Sequence, residues 1–136
     1  MSQENVEVAR RAFAAFTSGG WEACMGTYWD PDIVWNMTPT GIPGLGTYRG
    51  FDELRSFFKD WFSTFPFEEW EQDLEGVIDC GEQVVALTRQ RGQGSTSGAD
   101  VDLNYAQVIK FRDGRAVEVD VYLDATEALE AAGLRE

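Results

Sequence analysis

Gln83-Val84-Val85-Ala86-Leu87-Thr88-Arg89-Gln90-Arg91 (residues 83–91) opens the stretch that decides the fold. Leu103-Asn104-Tyr105-Ala106-Gln107-Val108-Ile109-Lys110-Phe111 (103–111) and Val117-Glu118-Val119-Asp120-Val121-Tyr122-Leu123 (117–123) complete it. All three runs read as long strands. Strand side chains alternate with period two. Leu103, Tyr105, Gln107, Ile109 and Phe111 therefore share a face, as do Val117, Val119, Val121 and Leu123. In the first run the alternation groups Val85, Leu87, Arg89 and Arg91. One face of the sheet is then apolar but carries Arg89, Arg91, Tyr105 and Gln107 toward one end. A filled core does not tolerate unpaired guanidinium groups, whereas a ligand cavity does. The candidate ligand-binding set is Asn36, Arg89, Arg91, Tyr105 and Gln107, with Trp61 as an apolar wall. The competing reading pairs Arg89 or Arg91 with an acid from the helices, or carries it to solvent at the strand end. It leaves Tyr105 and Gln107 as satisfied core groups. Val84, Ala86, Thr88, Ala106 and Val108 make the opposite face semi-apolar, which suggests a homodimer contact through the outer sheet face.

Outward from these strands, Val6, Ala9, Phe13 and Phe16 recur at helical spacing, so residues 3–18 read as an amphipathic helix ended by Gly19-Gly20. A short second helix is expected from Trp21 to about Tyr28. Ile33 to Met37 reads as a short strand. Residues 38–50 form a loop rich in Gly and Pro, readable as a lid over a pocket mouth or as a plain connection. Phe51 to Thr64 is a third helix, with Phe51, Leu54, Phe58 and Trp61 in its stripe. Most of its rings suit core packing, while Phe57 and Trp61 suit a pocket wall. Phe67 to Ile78 reads as a strand with Trp70, Gln72, Leu74 and Ile78 on one face. Its acidic row, Glu69, Glu71, Asp73 and Glu75, is a solvated face, since carboxylates at alternate strand positions diverge. Gly92 to Asp100 is a loop, and Asp113-Gly114 is a hairpin turn. Asp124 caps a last helix over 125–132, with Glu127 as its capping-box partner. Gly133-Leu134 forms its C-terminal cap. Strands clustered after helices imply an α+β fold with a mostly antiparallel sheet curved around the helices and enclosing a pocket.

The chain has 136 residues, which fits a single domain over 1–136. The formal net charge of −13 argues against nucleic acid and against anionic membrane surfaces. No apolar run approaches the ~20 residues of a membrane helix. The N-terminal residues lack the pattern of a signal peptide. Cys24 and Cys80 make neither a metal site nor a disulfide framework, and they suit a reducing cytoplasm. There is no histidine, which removes imidazole acid–base chemistry, Ser-His and Cys-His nucleophiles and His-based metal sites. No cofactor or metal is expected.

The element order resembles the SnoaL-like group of the nuclear-transport-factor-two-like superfamily. The residues that carry the likeness are Gly19-Gly20-Trp21, Tyr28-Trp29-Asp30-Pro31-Asp32-Ile33-Val34-Trp35 and Tyr48-Arg49-Gly50. Tyr105 to Val108, Arg112-Asp113-Gly114 and Val119 to Ala128 extend it. The resemblance implies a cone-shaped fold with a deep pocket, usually dimerising through the sheet's outer face. In related ketosteroid isomerases the base is an Asp where this chain has Asn36. Their oxyanion Asp matches Gln107, and their Tyr falls near Ala12. In related limonene-epoxide hydrolases an Asn and an Arg orient water and substrate, and Asn36 and Arg89 resemble them. The aspartates of those hydrolases match Arg91 and Val121. The resemblance implies cofactor-independent proton-transfer chemistry (cyclisation, isomerisation, dehydration or hydrolysis) on a mostly apolar oxygenated molecule. A non-catalytic small-ligand binder and a protein-interaction module are the alternatives.

Overall fold

A computed structural model describes residues 2–64, 71–93 and 100–133. Helix α1 (Ser2–Gly19) leads through a 3-10 turn (Trp21–Ala23) to strand β1 (Trp29–Asn36). A second 3-10 turn (Thr38–Thr40) and strand β2 (Thr47–Arg49) precede helix α2 (Gly50–Thr64). Strands β3 (Glu71–Asp79), β4 (Gln83–Gln93), β5 (Asp100–Arg112) and β6 (Arg115–Tyr122) follow, then helix α3 (Ala125–Ala131). The sheet order is β2-β1-β6-β5-β4-β3. All pairings are antiparallel except β1 with β6. The outcome is the expected α+β cone, a curved, mostly antiparallel sheet wrapped around α1 and α2. Among the described residues no helix is long and apolar enough to cross a membrane.

Local chemistry explains most elements. The β5–β6 turn has Asp113 at φ 55° and Gly114 at φ 78°. Positive φ at both central residues matches the strands' right-handed twist. The Asp124 carboxylate accepts the Glu127 N–H at 3.1 Å, so the cap forms as the sequence suggests. Two local readings change. The expected second helix is a single 3-10 turn. The loop at 38–50 contains β2, which pairs with β1 through Trp35 and Tyr48. The expected strand from Phe67 to Ile78 is described from Glu71 onward, and Phe67, Glu69, Trp70 and Leu134 lie outside the described residues.

The phase of β4 is the main correction. Thr88 lies opposite Tyr105, Ala86 opposite Gln107 and Gln90 opposite Leu103. Directly opposed residues share a face. The even residues of β4 therefore join the odd residues of β5 on the concave side, and Val85, Leu87, Arg89 and Arg91 turn to the convex side. Alternation misleads here because this part of the sheet is buried on both faces. Val84, Val85 and Ala86 are all buried, the first two at 0% exposure. Helix α3 sits on the convex face and buries Val85, Ala106 and Val108 with Ala128. A strand covered on both sides shows no alternation to read. An irregularity between Leu74 and Gly76 likewise turns Ile78 from the expected inner face to the convex cluster.

Candidate functional site

The concave face and the two long helices enclose a cavity of about 110 Å³. From α1 come Ala9, Ala12, Phe13 and Phe16, and from α2 come Phe57, Phe58, Trp61 and Phe62. The sheet supplies Trp29 and Trp35 from β1, Ile109 and Phe111 from β5, and Val119 and Val121 from β6. The rings are interlocked. Trp29 meets Trp35 edge-on at 5.2 Å, and Phe58 stacks on Trp29 at 5.8 Å. The Trp35 indole N–H donates to the Met37 thioether at 3.3 Å, so even this polar atom is satisfied within the wall. Beside the α1 wall, the buried Cys24 thiol donates to the Ala12 carbonyl at 3.3 Å. Burial pushes its pKa up to about 12, so it is no nucleophile.

The polar groups gather at one end of the sheet. Gln72 and Gln90 are register partners across β3 and β4, and Tyr105 and Gln107 follow on β5. Gln90 is 7% exposed, and its amide donates to the Tyr105 hydroxyl at 3.2 Å. With its oxygen accepting, the phenol has its own O–H to offer. Burial pushes the Tyr105 pKa up, with Thr88 and Gln90 opposing the shift, so the phenol stays neutral and donating at physiological pH. The side-chain amides of Gln72 and Gln107 hydrogen-bond to no other described residue, and both residues line the cavity. Tyr28 and Thr40 also line the cavity. No Asp, Glu, Lys or Arg is among the described lining residues.

Of the six residues the sequence singles out, Trp61, Tyr105 and Gln107 line this cavity. Asn36, Arg89 and Arg91 do not. Arg89 lies on the convex face, where Nε and Nη2 grip the Asp102 carboxylate at 2.9 and 2.6 Å. That grip holds Asp102 below the ordinary carboxylate range. Arg91 pairs with Asp73 at 3.0 Å and Glu71 at 3.6 Å. Both arginines are thus ion-paired, but with acids of the neighbouring strands and not of the helices, because the β4–β5 register turns them outward. Asn36 also faces outward: inward-facing Trp35 and Met37 flank it, and its partner across the parallel pairing is Asp120. Its carbonyl oxygen accepts from the Thr38 N–H, the Thr38 hydroxyl and the Thr47 hydroxyl, at 3.1, 2.7 and 3.1 Å. Arg89→Leu should leave the affinity for any cavity ligand within about twofold of the wild-type value, the scatter of distant, uncoupled sites. A loss of tenfold in a binding titration would contradict this placement.

Gln90 is a cavity-lining polar residue that the sequence did not single out. Its signal was Arg89 and Arg91 on either side, since two neighbouring charges with no inward acid mark the solvated face and leave the residue between them inside. Among the described residues no group of three His, Cys, Asp or Glu is placed to hold a metal ion.

Residues 9–119 match the SnoaL-like domain family. No curated protein matches the chain by sequence. Several solved structures share the fold. An NTF2-like protein of unknown function from Burkholderia pseudomallei K96243 is 26% identical, with a TM-score of 0.71 over 93% of this chain and 95% of that one. A SnoaL-like polyketide cyclase, so described, from Jannaschia sp. CCS1 is 20% identical, with a TM-score of 0.74 over 98% and 94%. TerC, co-crystallised with polyporic acid, is 20% identical, with a TM-score of 0.74 over 96% and 98%.

Proposed function

The chain belongs to the SnoaL-like domain family, and from that premise we propose that its cavity binds a neutral, largely apolar small molecule with an oxygen at one end. The observation that carries this reading is the absence of any charged side chain from the described cavity lining, together with the amide and phenol band at one end. The apolar body lies among the rings of α1, α2 and β1. A carbonyl oxygen accepts the Tyr105 O–H, and hydroxyls or further carbonyls meet Gln72 and Gln107, whose amides both donate and accept. A carboxylate has no cation to meet here, and a buried unpaired charge is costly.

The cyclase- or isomerase-type reading rests on one observation, the neutral Tyr105 phenol held by Gln90. Such a donor polarises a ligand carbonyl. A proton-transfer step needs a base as well, and the described lining offers no carboxylate. Binding is therefore the reading that the geometry supports better.

The test uses near-isosteric fluorinated probes. By fluorine NMR titration, para-fluoroacetophenone should bind and para-fluorobenzoate should bind at least about 30-fold more weakly, the cost of an unpaired carboxylate. Equal affinity for the acid would overturn the proposal.

A further inference from the structure

Between β1 and β2 the chain leaves the sheet and returns to it. Residues 37–46 form a compact loop whose neck is tied several times. The Met37 N–H donates to the Gly46 carbonyl at 2.9 Å. The Asn36 carbonyl oxygen gathers Thr38 on one side of the neck and Thr47 on the other. The Asn36 side chain lies beside that of its register partner Asp120 on β6. Beyond the neck, the loop's hydrogen bonds are internal. Thr40 and Gly41 N–H donate back to Met37 and Thr38, Leu45 N–H donates to Ile42, and Ile42 N–H donates to the Thr40 hydroxyl. Among the described residues, nothing from Thr40 to Leu45 hydrogen-bonds outside the loop. Thr40 to Leu45 can therefore move without breaking polar contacts outside the loop, while the Gly46 N–H donating to the Tyr48 hydroxyl at 3.3 Å and the Met37 thioether accepting from Trp35 anchor the two ends at the neck.

This loop borders two spaces at once. Thr40 and Ile42 line the central cavity. Gly44 and Leu45 line a separate groove of about 420 Å³, whose other wall is α2 with Ser56, Phe57 and Trp61. Phe57 and Trp61 belong to both linings, so their side chains lie between groove and cavity. We infer that residues 37–46 are a lid hinged at the Asn36 neck, and that the groove between this lid and α2 is the port through which a ligand passes Phe57 and Trp61 into the cavity. The port assignment rests on the cavity being a ligand site; the lid does not. Asn36 is then a positioning residue on the convex side that acts through the loop it ties.

The experiment starts with Asn36→Ala in the full chain and needs no ligand. In amide hydrogen exchange, Met37, Gly41 and Leu45 should speed up together by about tenfold or more while Ile33 keeps its protection, the pattern of one cooperative opening. Thr47→Val, which removes the other side of the tie, should act in the same direction. A change confined to the Thr38 amide in both variants would overturn the lid. Ser56→Trp then fills the groove from a position outside the cavity lining. Fluorine line shapes of para-fluoroacetophenone should show association and dissociation both slowed by about tenfold, with a dissociation constant within about threefold, because a blocked route changes rates and not equilibria. Unchanged rates would overturn the port. Failure of the probe to bind at all would instead overturn the cavity reading, and the exchange result decides the lid in that case too.

Discussion

Truncating Phe58 to alanine should lower folding stability by about 3–5 kcal/mol, the range for large aromatic core deletions. Phe58 is 5% exposed and sits at the centre of the ring cluster. It stacks on Trp21 at 5.6 Å and Trp29 at 5.8 Å, and meets Phe16 and Trp35 edge-on, each at 5.5 Å. These neighbours are rigid rings wedged against one another, so they cannot collapse into the space vacated. The void also opens onto the existing cavity, since Phe58 lines it. The cost therefore falls toward the upper part of the range. A domain of ordinary stability, about 5–15 kcal/mol, would be left close to its threshold. Urea denaturation should show a lower midpoint with an unchanged slope. A loss below about 1 kcal/mol would mean that the cluster is not what holds α2 to the sheet. Phe58→Leu, which keeps most of the volume, should cost clearly less.

Gln107→Arg should reverse the cavity's preference between the two probes, with a swing of at least about 100-fold toward para-fluorobenzoate, or close to 3 kcal/mol. The position suits the change. Gln107 faces the cavity opposite Ala86 and Val121, so small and medium side chains leave room around it. Its amide meets no other described residue, so no bond is lost in the exchange. The new guanidinium would give a carboxylate the bidentate partner that the wild-type lining lacks. It would also cost stability without ligand, because no described lining residue is acidic and a buried unpaired cation is unfavourable. Addition of the acid should then raise the midpoint of thermal unfolding in the variant and not in the wild type. An unchanged ratio of affinities would show that Gln107 does not touch the ligand. The substitution puts into the cavity the charge that the alternation of residues 85–91 seemed to place there.

Arg89 shows where local pattern ceases to suffice. Its strand carries Val, Leu, Arg and Arg at odd positions and Val, Ala, Thr and Gln at even ones, and neither set is plainly the inner face. Only pairing to β5 and the cover provided by α3 settle it. Asn36 is a similar case. The sequence marks it as a polar residue on a short strand, but its direction follows from β1 lying parallel to β6, a pairing between segments about eighty residues apart. By contrast, Tyr105, Gln107 and Trp61 were legible. On β5 the odd positions carry the larger side chains from Leu103 to Phe111, and the α2 stripe is apolar and mostly aromatic.

The chain's own order of residues determined the helical stripes of α1 and α2, the four consecutive strands β3 to β6, the Asp113-Gly114 turn, the Asp124 cap and the absence of imidazole chemistry. Each depends on neighbours within a few positions, where steric preference and periodicity act. The tertiary structure alone decided which face of β4 looks inward, that Asn36 ties a loop, that Gln90 supports Tyr105, and that the cavity lining described is uncharged. These depend on strand register and on burial of the sheet from both sides, and both are set by contacts between residues far apart in the chain.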